Sequence, residues 1–155
     1  VTSALRISEA ASLALHTSVL LAAEGGRLST RQIADRLGVS EAHLAKVMQR
    51  LAKAGLVASV RGRHGGFSLA RRKDRIRLID VYQAIEGRLP RSQCLMGRPV
   101  CGGKRCLLGG LLETVDVWLR SYLAGTTLSQ LTDVYAGSRA APEQTDGSGG
   151  TDACA

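Results

Sequence analysis

The segment Ser29–Gly55, S-T-R-Q-I-A-D-R-L-G-V-S-E-A-H-L-A-K-V-M-Q-R-L-A-K-A-G, leaves the chain few choices of fold. It contains two helix starts and two helix stops. Ser29 and Gln32 fit a capping box, in which the hydroxyl takes an orphan backbone N–H and the amide reaches back to the cap. Ile33, Ala34 and Leu37 give the first helix its apolar stripe. Gly38 stops it, because glycine reaches the left-handed conformation at least cost. Val39 fills the corner and Ser40 caps a second helix, expected over Glu41–Ala54. Its apolar residues Leu44, Val47, Met48 and Leu51 fall at i, i+3, i+4 and i+7, and Gly55 ends it. Two short helices joined by a glycine turn make a helix-turn-helix. The other face of the second helix carries Ala42, His43, Ala45, Lys46, Gln49, Arg50 and Lys53. These are small, polar or basic, as a helix entering a phosphate-lined groove requires.

A hairpin is expected next. Leu56–Val60 alternates as a strand, Arg61–Gly66 is a turn, and Phe67–Ala70 returns. After a helix-turn-helix such a hairpin reads as a wing, whose glycines let the backbone approach a ligand closely. Charge supports the same reading. Residues 27–77 hold 13 Lys/Arg and 3 Asp/Glu, a net of +10, while the whole chain is +8. The positive excess therefore lies in one third of the sequence, the footprint of a nucleic-acid-binding segment rather than of general solubility. The expected double-stranded DNA contacts follow. Ser40, Glu41, Ala42, His43 and Lys46 face bases. Thr30, Arg31, Arg50, Arg61 and Arg63 hold phosphate, with His64 beside them in the wing.

The remaining segments are helical. Leu5–Ala23 is an expected helix stopped by Glu24-Gly25-Gly26, with Glu9, Ser12 and His16 on one face. Arg71–Arg77 is a basic connector and Ile79–Glu86 a short helix. Leu107–Ala124 carries Leu107, Leu108, Leu111, Leu112, Val115, Trp118, Leu119 and Tyr122 on a wide apolar face. One small domain cannot readily cover that face, so a homodimer seam is expected there. Thr127–Tyr135 forms a last short helix. From Ala136 the chain is Gly/Ser/Ala/Asp-rich and is expected to be disordered, with Cys154 in it serving no function. The fold class is mainly α with a small β-wing: a winged helix-turn-helix over 1–87, a cysteine loop over 88–106, a dimerisation helix and short helix over 107–135, and a tail over 136–155. Aromatic residues make up 3% of the chain, so Leu, Val, Ile and Ala must build its core.

The cysteine loop Cys94–Cys106 reads C-L-M-G-R-P-V-C-G-G-K-R-C, a C-x6-C-x4-C pattern. Gly97, Pro99, Gly102 and Gly103 prevent a periodic helix or strand. Three soft ligands with glycines to wrap them suit a metal or iron–sulfur cluster. A thiol switch or a zinc site is the alternative, although most structural zinc sites contain a tighter cysteine pair. The first 30 residues lack the ordered parts of a secretory signal, and no apolar run reaches the roughly 18 residues of a membrane helix. The expectation is a cytoplasmic protein with no membrane partner, in which clustered cysteines bind metal or react. An enzyme is not expected. The three histidines, His16, His43 and His64, form no pattern with a nucleophile, and no phosphate loop or paired carboxylates occur.

Several stretches together resemble the Rrf2 family of bacterial transcription regulators. They are L-R-I-S at the first helix, S-T-R-Q-I-A-D-R-L-G-V-S, L-x-K-A-G-L-V, the wing R-G-x-x-G-G-F-x-L-A, and I-x-L-x-D-V-Y-Q-A-I-E-G before the cysteine loop. The resemblance covers about residues 4–135. It implies a winged-helix homodimer on a palindromic operator, with the helix at Leu107–Ala124 crossing its partner. It also implies an iron–sulfur cluster, 2Fe-2S or 4Fe-4S, on Cys94, Cys101 and Cys106. Some members take a fourth ligand from a histidine just after the last cysteine, where this chain has Leu107, Leu108 and Gly109. Others borrow an acidic or histidine ligand from the partner's first helix. The usual acidic position is Ser12 here, a poor ligand, and His16 one turn later matches a histidine used by some relatives. The resemblance thus implies His16 as fourth ligand, then Glu9 or a water. A cluster tied to both subunits would let its loss or oxidation change the spacing of the two reading heads.

Overall fold

The computed structural model describes residues 7–62, 65–89, 96, 100–102, 107–108 and 110–136. In it, serines open the first three helices. Ser8 caps α1 (Glu9–Glu24), its Oγ accepting the Ala11 N–H at 3.1 Å. Ser29 caps α2 (Thr30–Leu37) and completes the expected box: its Oγ accepts the Gln32 N–H at 3.2 Å, and Gln32 Oε1 accepts the Ser29 N–H at 2.8 Å. Ser40 caps α3 (Glu41–Lys53) by accepting the His43 N–H at 3.2 Å. Gly25 and Gly38, both with positive φ, close α1 and α2.

Two helices begin later than the sequence pattern implies. The expected start of α1 at Leu5 lies outside the described residues, and Ser8 is an extended cap (φ −69°, ψ 163°) immediately before Glu9. The cap and the acidic first turn were the signals for that boundary. The helix expected from Leu107, here α5, spans Leu111–Gly125. Leu107 and Leu108 lie in a turn ahead of Gly110, whose carbonyl accepts both the Thr114 N–H at 2.9 Å and its hydroxyl at 3.0 Å. The 83% exposed Leu107 therefore belongs to no helical seam.

The hairpin forms as expected: β1 (Val57–Val60) pairs antiparallel with β2 (Gly66–Leu69), from Val57 opposite Leu69 to Val60 opposite Gly66. A third edge was not anticipated. Leu28, between α1 and α2, bridges Phe67 through two backbone bonds of 3.0 and 2.8 Å. Gly66 allows this approach, since a Cβ there would lie 2.4 Å from the Leu28 carbonyl oxygen. A second bridge, Arg77 with Thr127, returns the chain after α5 to the start of α4 (Leu78–Glu86). The 3-10 segment Leu128–Tyr135 then packs on α1. Leu20, Leu21, Ile33, Leu44, Met48, Leu51, Ile76, Val81 and Leu128 are fully buried in one core that Leu119 and Leu123 of α5 also join. Among the described residues no helix is long and apolar enough to cross a membrane.

The apolar face of α5 divides into two seams. Leu112, Asp116, Leu119 and Leu123 turn inward and are buried. One residue earlier in each step, Leu111, Val115, Trp118 and Tyr122 form an outer seam on which Trp118 is 65% exposed and its ring stacks on Tyr122 at 5.7 Å. The buried Asp116 carboxylate accepts from Arg120 Nε at 2.7 Å, and Arg120 Nη2 donates to the Leu89 carbonyl at 2.8 Å. The charge is thus paired, as burial requires.

At the start of α4, Asp80 accepts the Arg77 backbone N–H at 3.0 Å and a forked guanidinium bond at 3.0 and 2.8 Å. The bond to the Arg77 side chain holds its carboxyl below the ordinary aspartate value. A depressed folded value gives stability that is present above the unfolded value, near pH 3.9, and lost as pH falls through the folded value. Asp80→Asn should cost about 1 kcal/mol at pH 7, and this deficit should fade below about pH 4. Urea unfolding of both proteins at pH 7 and pH 3 checks it. A deficit that persists at pH 3 would assign the loss to geometry rather than charge.

Candidate nucleic-acid interface and cluster face

The helix caps and the Leu28–Phe67 bridge set three backbone features around one groove. Ser29, Thr30 and Arg31 come from the N-terminus of α2, Glu41 from the N-terminus of α3, and Ser59, Val60, Gly62, Gly65, Gly66 and Phe67 from the wing. The groove encloses about 410 Å³. Two helix N-termini bring unsatisfied N–H groups and positive dipole ends to it, which favours phosphate. The wing turn is tight: the Gly65 N–H donates to the Gly62 carbonyl at 2.8 Å, and a Cβ on Gly65 would meet the Val60 oxygen at 2.4 Å.

The residues expected to contact DNA differ in their surroundings. Thr30, Arg31 and Glu41 line the groove. Arg31 lies 3.9 Å from Asp35 in an exposed pair, a weak hold that a phosphate can replace. Ala42, Lys46 and Arg61 are exposed, and His43 is half-buried. Ser40 uses an oxygen lone pair on its cap and keeps its hydroxyl proton for another partner. Arg63 and His64 lie outside the described residues. Arg50 has a partner other than phosphate: its guanidinium donates to the Ile85 carbonyl near the end of α4. The reason is position. Arg50 stands ten residues beyond Ser40, about 15 Å along the helix axis, and the C-terminal carbonyls of α4 attract a cation. Seen in sequence, its place in the last turn of α3 carried that signal.

A second surface lies on α1. Glu9, Ser12 and His16 share a cleft of about 240 Å³ with Leu13, Leu37 and Val39. His16 is exposed, and its Nδ1 donates to the Ser12 carbonyl at 2.8 Å. The acceptor fixes the tautomer, leaving the Nε2 lone pair of the neutral ring for another partner. Glu9 Oε1 lies 3.6 Å from Nδ1 of His43, joining the α1 face to α3. Cys101 is exposed and its thiol is free. Cys94 and Cys106 lie outside the described residues, as does Cys154. Among the described residues no group of three or more His, Cys, Asp or Glu is placed to hold a metal. The donors that are described suit an iron–sulfur cluster in their chemistry: an open thiol, and an imidazole whose second nitrogen is held by a carbonyl in the manner of metal-ligating histidines.

The chain entering the cysteine loop is held at three points. Ile85 accepts from Arg50 of α3, Glu86 accepts from the Ser8 hydroxyl at the cap of α1, and Leu89 accepts from Arg120 of α5.

Residues 7–134 match the Rrf2 family, whose description is iron-dependent transcriptional regulator. The chain is 36% identical over 114 residues to the HTH-type transcriptional regulator IscR of Aliivibrio salmonicida, covering 73% of this chain and 67% of that one. Among solved structures, CymR, the global cysteine regulator of B. subtilis, is similar with a TM-score of 0.69 and 28% identity, over 84% of this chain and 98% of that one. IscR of T. potens gives a TM-score of 0.63 and 27% identity, over 88% and 93%. With its capped helix pair, glycine-tight wing and shared groove, the chain belongs to the Rrf2 family of winged-helix, DNA-binding transcriptional regulators, which are not enzymes.

Proposed function

We propose that the chain is a cytoplasmic, homodimeric regulator that binds a palindromic operator and answers to redox state, nitric oxide or iron supply through an iron–sulfur cluster. Cys94, Cys101 and Cys106 would hold the cluster, with His16 of the partner subunit as fourth ligand and Glu9 as its alternative. The observation that carries this reading is the bond from Arg50 of α3 to Ile85 at the loop entrance. It joins the helix that reads DNA to the segment that leads into the cysteines. When bound, a cluster supplies ligand bonds that oxidation or iron loss can break. The residues of the chain do the rest. The Ser12 carbonyl orients the His16 ring, Arg120 fixes Leu89, and Ser8 and Arg50 fix Glu86 and Ile85. A displacement of the loop entrance is thereby passed to the cap of α1 and the end of α3.

On the DNA side, Ser40, Glu41, Ala42, His43 and Lys46 face bases in the major groove, while Thr30, Arg31, Arg61, Arg63 and His64 serve the backbone and the adjoining minor groove. The outer seam of α5 supports the homodimer. Leu111, Val115, Trp118 and Tyr122 alternate at four and three residues, the spacing of a coiled-coil seam, and a second copy would cover it.

Three measurements test this reading. Protein purified without air should be coloured, with iron and sulfide in equal amounts, and Cys101→Ser should abolish the colour. His16→Ala should alter the visible spectrum while leaving the dimer intact. A colourless protein after anaerobic reconstitution would exclude the cluster. Trp118→Glu should convert the dimer to monomer in sedimentation and weaken operator binding at least tenfold, whereas an unchanged sedimentation coefficient would remove α5 from the interface. His43→Ala should relax preference at one position of each half-site by about 1–3 kcal/mol in competition binding, and an unchanged preference would take His43 off the base edges.

A further inference from the structure

The groove lined by Thr30, Arg31 and Glu41 does not end the concave surface. Across the Leu28–Phe67 bridge lies a second cleft of about 430 Å³, lined by Gly26, Arg27, Ser68, Leu69, Arg71 and Lys73 over the end of α1. The bridge fixes the order. With Leu28 opposite Phe67, Ser29 and Gly66 stand on the groove side, and Arg27 and Ser68 on the cleft side. Neighbouring strand residues are about 3.3 Å apart, so the two hollows adjoin along one ribbon.

The cleft is cationic. Arg27, Arg71 and Lys73 line it, and among the described residues no carboxylate does. Of the acidic side chains closest in sequence, Glu24 pairs with Arg36 and Asp74 with Arg72, while Asp80 pairs with Arg77 and also feels the charge of Arg71. Lys73 Nζ makes a long contact, 3.5 Å, to the Ala22 carbonyl. The walls are low, since Gly25, Gly26 and Ser68 carry little or no side chain. Small walls around fixed positive charge let a bulky anion reach the cations. None of the three basic residues belongs to the set that the sequence pattern assigned to DNA.

We propose that this cleft is a second phosphate site, taking backbone phosphate from the duplex that occupies the groove and extending the footprint into the flank of each half-site. The proposal rests on the groove being the DNA interface. Duplex DNA carries one negative charge per about 1.7 Å of axis, so a backbone crossing the Leu28–Phe67 bridge brings phosphates to the cleft. Such contacts are indifferent to sequence and add salt-dependent affinity.

The test uses the full chain and an operator selected by the wild-type protein from random DNA. One duplex ends at the half-site boundaries, and a longer one carries flanks on both sides. For the Arg71→Ala/Lys73→Ala double variant, the slope of log affinity against log salt on the flanked duplex should be shallower than wild type by about 1 to 2, at roughly 0.9 per lost phosphate contact. On the short duplex the two proteins should agree. Arg75→Ala, off the cleft, controls for net charge and should leave the flank effect in place. Thermal unfolding verifies that each variant is folded, and in labelled wild type the amide signals of Gly26 and Ser68 should move only with the flanked duplex. Equal slopes on the flanked duplex, or an equal loss on both, would overturn the proposal. So would amide shifts caused by inorganic phosphate alone without any effect of duplex length, since the cleft would then hold a free anion. Wild-type protein that bound neither duplex in a salt-dependent way would overturn the groove reading itself, and this inference with it.

Discussion

The groove shared by α2, α3 and the wing depends on two backbone hydrogen bonds. Leu28 and Phe67 exchange N–H and carbonyl, and this pins the short link between α1 and α2 to the root of the wing. Without that bridge, the N-terminus of α2 and the hairpin would share no wall. With it, Thr30 and Gly66 line the same groove. The bridge in turn requires glycine at residue 66, because a Cβ would lie 2.4 Å from the Leu28 oxygen. A single residue without a side chain thus decides whether helix and wing can act on one ligand.

Much of this was legible in the chain, and the reasons are local. Ser29, Gln32 and Gly38 specify a helix and both its ends within ten residues, and the structure reproduces the box bond for bond. The hairpin was legible because its turn is dense in glycine and its flanks alternate. The bridges were not. Leu28 and Thr127 are one-residue pairings across large sequence separations, and no period marks them. Arg50, read from its polar helix face and its charge as a phosphate ligand, also donates to a carbonyl 35 residues away, a partner that no local period marks. The cleft of Arg27, Arg71 and Lys73 was hidden for the same cause: pairing of distant strands, rather than spacing, gathers those side chains.

α5 shows how one helix can serve two surfaces. Its inward seam completes the core of its own chain, and the outward seam follows the same four-three spacing one residue earlier. The inner seam includes a charge, Asp116, held by Arg120, which also holds Leu89. A buried ion pair adds little net stability, yet removing one partner is costly. Its value here is positional: one guanidinium ties the inner seam of α5 to the Leu89 carbonyl after α4.

The Arg50–Ile85 bond also divides α3 along its length. At its start Glu41 lines the groove, and His43 lies beside Glu9 of α1. The last turn holds α4 through Arg50. The two ends of one rod thus meet different neighbours, the groove at its start and α4 at its last turn. A substitution in the first turn can therefore alter the groove without breaking the bond to α4.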